Sequence, residues 1–147
     1  MIHKKIILCI FCLINILNAT TMMTDIKDER KILNSTNREL NIPKPIQNFL
    51  NATNNGNNEE LINIFTKDAY LRDWFRIFNG HKGVSSWNIS DNIGKDTHFD
   101  IQSIRNGEKE NSYIVSLKVS GKGFNGNSNI FFLINDNLIS ELIISPF

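Results

Sequence analysis

The sequence predicts an α+β domain over residues 43–147, with helices first and a β meander after them. Three observations predict it. Ile46, Phe49, Leu50 and Thr53 recur at i, i+3, i+4 and i+7, which puts them on one face of a helix. Tyr113, Val115, Leu117 and Val119 alternate with Ser116, Lys118 and Ser120, the two-residue period of a half-buried strand. Asn106-Gly107 and Asn125-Gly126 are turn signals that cut the second half into short strands. Helices followed by a run of strands is the α+β pattern.

Residues 1–19 have the form of a secretory signal peptide. Lys4 and Lys5 precede an apolar stretch at 6–17, and Ala19 with Thr20 and Thr21 offers small residues for cleavage. The stretch is short for a membrane span, so a secreted or periplasmic product with no membrane contact after leader cleavage is expected; the alternative is a retained anchor. Residues 20–42 are polar and charged with scattered apolar positions, and read as a linker or loosely held arm.

The domain proper opens at Pro43. Pro45 suits a first helical turn, and Gly56 ends the helix. Asn57 can cap the next helix, with Glu60 as its capping-box partner and Leu61, Ile64 and Phe65 as its apolar face. An extended run is expected over 70–78. Alternation along one strand would put Asp73 with Leu71, Phe75 and Ile77, and Trp74 with Arg72 and Arg76. Asn79-Gly80 turns the chain into a third helix at about 82–92, with Val84, Trp87 and Asp91 on one side and Gly94 as its stop. Strands follow at 97–104, 112–120, 130–134 and 138–144. The run at 130–134 is apolar on both faces, as a central strand would be.

A helix ending in Phe65, then Asp68-Ala69, Asp73-Trp74, Gly80-His81, Val84 and Trp87, and Gly94 before the strands, resembles the SnoaL-like branch of the nuclear transport factor 2 (NTF2-like) superfamily. The resemblance covers residues 43–147. It implies a cone: three N-terminal helices packed in a strongly curved antiparallel sheet, around an internal pocket open at one end. It also implies a sheet face that often makes a homodimer. The superfamily spans isomerases, cyclases, dehydratases, hydrolases and binding proteins, so it implies fold more than reaction.

Asp73 is the candidate catalytic residue. A carboxylate among apolar side chains is poorly solvated as an anion, and its proton affinity rises toward the range of a useful base. The resemblance places it where ketosteroid isomerases keep a catalytic aspartate. The same resemblance puts Phe49 where those enzymes carry an oxyanion-donating tyrosine, and their second donor, a protonated aspartate, falls around residues 131–133, which contain no acid. The opposing reading pairs Asp73 with Arg76 or Arg72. Trp74, Trp87, Phe49 and His81 are the candidate ligand-binding residues; the tryptophans offer large rings with one N–H donor each. Ordinary core packing stands against the aromatic assignments, and a local capping role against His81.

Composition narrows the classes. Both cysteines, Cys9 and Cys12, lie in the leader, which leaves the domain without a thiol nucleophile, a disulfide or a cysteine metal site. The three histidines show no ligand spacing, so no metal and no other cofactor is expected. The net charge of +1 loses two positive charges with the leader and becomes −1, which gives no footprint for nucleic acid. The expected partner is a small, largely apolar molecule in an internal pocket. A cofactor-free acid–base enzyme using Asp73, and a dimerisation or interaction module using the sheet face, are the alternatives.

Overall fold

The apolar stripe seen in the sequence winds into helix α1, Lys44–Asn54, which buries Ile46, Phe49, Leu50, Ala52 and Thr53. Pro45 lies in its first turn, where its missing N–H costs no hydrogen bond. The computed structural model describes residues 41–145; the leader and nearly all of the 20–42 arm lie outside the described residues. Ile42, the last residue assigned to that arm, packs against the core.

Helix α2, Asn58–Asn63, starts as expected at Asn57, whose Oδ1 accepts from the Glu60 backbone N–H at 3.1 Å. Strands β1 (Phe65–Asp73) and β2 (Arg76–Asn79) come next, then helix α3 (Gly80–Asp91) and a 3-10 turn, Ile93–Lys95. Strands β3 (His98–Asn106), β4 (Ser112–Ser120), β5 (Gly126–Asn135) and β6 (Leu138–Ile144) complete the domain. Two helices therefore precede the sheet, and the third is inserted after its first hairpin.

Two expectations are corrected here. The sheet is mixed, with strand order β2-β1-β6-β5-β4-β3, because β6 returns beside β1 and runs parallel to it. All other neighbours are antiparallel. The expected single strand over 70–78 is instead a hairpin: β1 pairs with β2 from Tyr70↔Asn79 to Asp73↔Arg76, with Trp74 and Phe75 as its two-residue turn. Trp74 takes φ +55°, a costly conformation for a bulky residue. Its backbone N–H is held by the Ile144 carbonyl at 2.8 Å, which ties the turn to the end of β6. Leu71 is buried, but beyond the turn the alternation breaks, and Phe75 and Ile77 are 91% and 55% exposed.

The helices cover one face of the sheet. Leu71, Val115, Leu117, Val119, Ile130, Phe132 and Leu142 point into that layer and meet Ile46, Phe49, Val84 and Trp87 from the helices. Phe49 is fully buried at its centre. Its ring stacks on Phe99 and Trp87 at 5.8 and 6.5 Å and meets Phe132 and Phe65 edge-on at 5.4 and 6.1 Å. Burying one such ring is worth roughly 1.5–3 kcal/mol before its pairwise contacts are counted.

Candidate functional site

The turn that breaks the expected strand also fixes the site. Asp73 is the last residue of β1, opposite Arg76, and α3 runs beside it. Trp87 of α3 donates from Nε1 to Asp73 Oδ2 at 3.0 Å. One turn further along α3, Asp91 takes Arg76 Nη2 on Oδ1 at 2.6 Å, and the same guanidinium nitrogen lies 3.6 Å from Asp73 Oδ2. Arg76 thus bridges two carboxylates while its own side chain stays 55% exposed.

The two acids are held differently. Burial pushes the Asp73 carboxyl above the usual carboxylate range, and the Asp91 charge adds to the rise, against the Trp87 hydrogen bond and the Arg76 charge. At Asp91 burial also pushes upward, but hydrogen bonds from Arg76 and Ser90 and the charges of Arg76 and Lys95 outweigh it and hold the group below its usual value. The proton affinity of one is raised and that of the other lowered. Both contacts to Asp73 fall on Oδ2; Oδ1 takes no hydrogen bond from the described residues.

Asp73 and Asp91 border a cavity of about 640 Å³ that opens to solvent. Its helix side carries Trp74, Trp87 and Asn92. Its sheet side carries Phe99 and Gln102 of β3, Ser116, Leu117 and Val119 of β4, and residues 127–130 of β5. The turn before β5 contributes Phe124, which is 57% exposed at the rim. Among the described residues, the two aspartates are the only ionisable side chains in the lining.

Asn92 is fully buried and closes a chain of amides. Its Nδ2 donates to Thr53 Oγ1 at 3.0 Å and to Asn88 Oδ1 at 2.9 Å, and Asn88 Nδ2 donates to Asn58 Oδ1 at 2.6 Å. This direction leaves Asn92 Oδ1 buried with no hydrogen-bond donor among the described residues. Just beyond Asn92, Gly94 lies against α3: a Cβ there would be 1.7 Å from the Ile89 carbonyl oxygen. Gly94 is thus needed for close approach within the 3-10 turn, whereas α3 itself already ends at Asp91.

No protein-family model matches the chain, and no curated protein sequence does. Solved structures do match. A Sinorhizobium meliloti protein designated a polyketide cyclase is 20% identical with a TM-score of 0.65, over 71% of this chain and 95% of its own. The orange carotenoid protein of Anabaena (Nostoc) sp. PCC 7120, which binds canthaxanthin, is 20% identical with a TM-score of 0.64; the match covers 73% of this chain but 37% of that one. A protein of unknown function from Cytophaga hutchinsonii, NTF2-like, is 9% identical with a TM-score of 0.60, over 74% of this chain and 91% of its own.

The fold is NTF2-like.

Within this NTF2-like domain the named residues separate into two groups. Asp73, Trp74 and Trp87 come together on the cavity. Phe49 does not reach it; its ring is spent inside the aromatic cluster. His81 is also away from it, in the first turn of α3, where Nε2 donates to the Phe65 carbonyl at 2.9 Å and braces α3 against β1. Sequence reasoning missed Asn92 and the sheet-side polar residues, and gave Asp91 no role. A signal for Asp91 existed, since it lies four residues after Trp87 and so faces the same way. None existed for Asn92, whose side chain is placed by Thr53 of α1 and Asn88 of α3.

Proposed function

We propose that this is an exported NTF2-like domain that binds a small, largely apolar molecule in the cavity between α3 and the sheet, with the sheet curved about the helices as a cone. The observation that carries the reading is the cavity itself: about 640 Å³, with Trp87, Phe99, Leu117, Val119, Ile130 and Ile144 as its apolar wall and polar side chains such as Asp73, Gln102, Ser116 and Asn129 set among them. That volume and that mixture suit a ligand site. The carotenoid bound by the Anabaena neighbour is a precedent for an apolar ligand on this fold.

A second reading is favoured by Asp73: a cofactor-free acid–base enzyme of the isomerase, cyclase or dehydratase type. The carboxyl has a raised proton affinity and an Oδ1 without a donor among the described residues, the properties of a general base. The groups around it argue for binding instead. Stabilising a developing oxyanion needs donors, and the Arg76 guanidinium beside Asp73 is already bound to Asp91. The Trp87 N–H is already given to Asp73, and Phe49 has nothing to donate.

Native mass spectrometry of the purified full chain, wild type and Asp73→Asn, tests both. A co-purified small molecule retained by both proteins supports binding. A molecule that is converted by the wild type and persists in the variant favours the enzyme. A ligand-free protein that also binds none of a set of apolar probes would end the cavity reading.

A further inference from the structure

The mouth of the cavity is bordered by aromatic rings left open to solvent. Phe75 is 91% exposed, Phe124 57% and Trp74 48%. Trp74 and Phe75 form the turn between β1 and β2, with their rings 6.4 Å apart and edge-on. Phe124 comes from the turn between β4 and β5. β6 runs between β1 and β5, so the two turns stand at one end of the sheet, on either side of the end of β6. Trp74 and Phe124 both border the cavity there. Both turns hold their rings in place. Trp74 keeps φ +55°, where Gly or Asn would sit without strain, and its N–H is fixed by the Ile144 carbonyl at 2.8 Å. The Phe124 turn is closed by Asn125, whose Nδ2 donates to the Gly121 and Gly123 carbonyls at 2.9 and 3.1 Å. The Phe124 ring lies over Gly126, where a Cβ would come within 3.1 Å of it. A strained turn kept for a bulky apolar side chain in water points to a use outside the core.

The surroundings indicate what the rings meet. The cations of the two turns are already matched: Arg76 pairs with Asp91 and Lys122 with Asp96, and the charge of Lys95 acts on Asp91 as well. Attraction to headgroup charge is therefore not what would hold this surface. A stable protein interface buries about 800 Å² on each side with close packing. Two ring-bearing tips parted by an open cavity of about 640 Å³ do not present such a surface. A fluid hydrocarbon layer conforms to separate tips and leaves no void between them. Trp and Phe side chains settle at the boundary of such a layer. An apolar ligand of the cavity would also be dissolved there.

We propose that the mouth of the cavity docks on a zwitterionic phospholipid surface, with Trp74, Phe75 and Phe124 entering the boundary between headgroups and acyl chains. This rests on the reading of the cavity as a site for an apolar molecule, and names where that molecule is taken up or released. It departs from the expected lack of membrane contact, because the exposure of these rings is decided by the turns and not by residue type.

The test uses the full chain and vesicles of phosphatidylcholine with brominated acyl chains. The apolar stretch at 6–17 can itself hold the chain on a vesicle, so the readout is local to the mouth. The chain has two tryptophans, and Trp87 is buried, so quenching of fluorescence by the bromines reports Trp74. Quenching with a blue shift is expected, unchanged when phosphatidylserine is added. Phe75→Ser and Phe124→Ser each remove one exposed ring, and each is expected to raise the lipid concentration at half-quenching ~10-fold. Unquenched Trp74, or quenching only with phosphatidylserine, overturns the docking. So does a dimer in sedimentation that Phe75→Ser dissolves, which would give the rings to a second copy. Binding of the apolar dye 1-aminoanthracene without vesicles reads the cavity separately. Dye binding with unquenched Trp74 overturns the docking and leaves the cavity standing; quenching without dye binding supports the docking and ends the cavity reading.

Discussion

Trp87 Nε1 donates to Asp73 Oδ2 across 3.0 Å, and this one bond joins the third helix to the first hairpin at the edge of the cavity. It does two opposed things at once. It satisfies an indole N–H that is otherwise buried, and it steadies the charged form of a carboxyl that burial pushes the other way.

Trp87→Phe separates these effects. The Asp73 carboxyl loses the hydrogen bond that lowers its proton affinity, so its titration midpoint moves further up. Stability falls by about 1–3 kcal/mol, the range for a lost hydrogen bond to a charged group. Carbon-detected NMR of the Asp73 carboxyl and urea melts measure the two. An unmoved midpoint would show that the bond contributes nothing to the charge state.

The pH dependence of stability follows from the two acids with opposite signs. Asp73 titrates above its unfolded value, so the folded state binds the extra proton between that value, about 4, and the raised folded value. Its stabilising contribution is whole below about 4 and is lost as pH rises through the folded pKa. Asp91 titrates below its unfolded value, so its contribution is present above about 4 and is lost as pH falls through the folded pKa. Asp73→Asn removes only the first, and the variant should gain on the wild type as pH rises from about 4. Urea denaturation across the acid to neutral range reads this directly, and a constant difference between the two proteins would contradict it.

Phe49→Ala tests the assignment of this ring to the core. Removing a fully buried phenylalanine that touches four other rings should cost about 3–5 kcal/mol, a large share of a typical domain's ~5–15 kcal/mol. Chemical denaturation measures it. A loss under about 1 kcal/mol would mean that the cluster closes over the gap.

Gly94→Ala should destabilise by about 3 kcal/mol or more, since the added methyl meets a backbone carbonyl oxygen that belongs to α3 and cannot swing aside. Gly56→Ala is the contrast: nothing lies near its Cβ, and only its φ of +67° opposes the change, at about 1 kcal/mol. Thermal melts of the two variants should differ clearly, and equal melting points would refute the close approach at Gly94.

Several elements were legible because their determinants are local. The α1 stripe, the Asn57 cap with Glu60 three residues on, and the alternation in β4 each need only neighbours within about one turn or one strand to be read. The hairpin at Trp74 was not, because neither Trp74 nor Phe75 is a turn-forming residue; the turn is held from outside, by the Ile144 carbonyl. The parallel pairing of β1 with β6 escaped for a similar reason: the hydrophobic pattern of β6 is the same whichever way its neighbour runs.

By itself the sequence determined an α+β domain, its helix faces, most of its strands and one suspicious carboxylate, since period and capping act over a few residues. Tertiary structure decided which groups meet that carboxylate. Trp87 of α3 and Arg76 of β2 reach it from different elements, and hydrogen bonds and ion pairs across such gaps exist only once the chain has closed. It also decided that Phe49 and His81 serve packing and bracing, because burial and partner geometry, unlike residue type, belong to the folded chain alone.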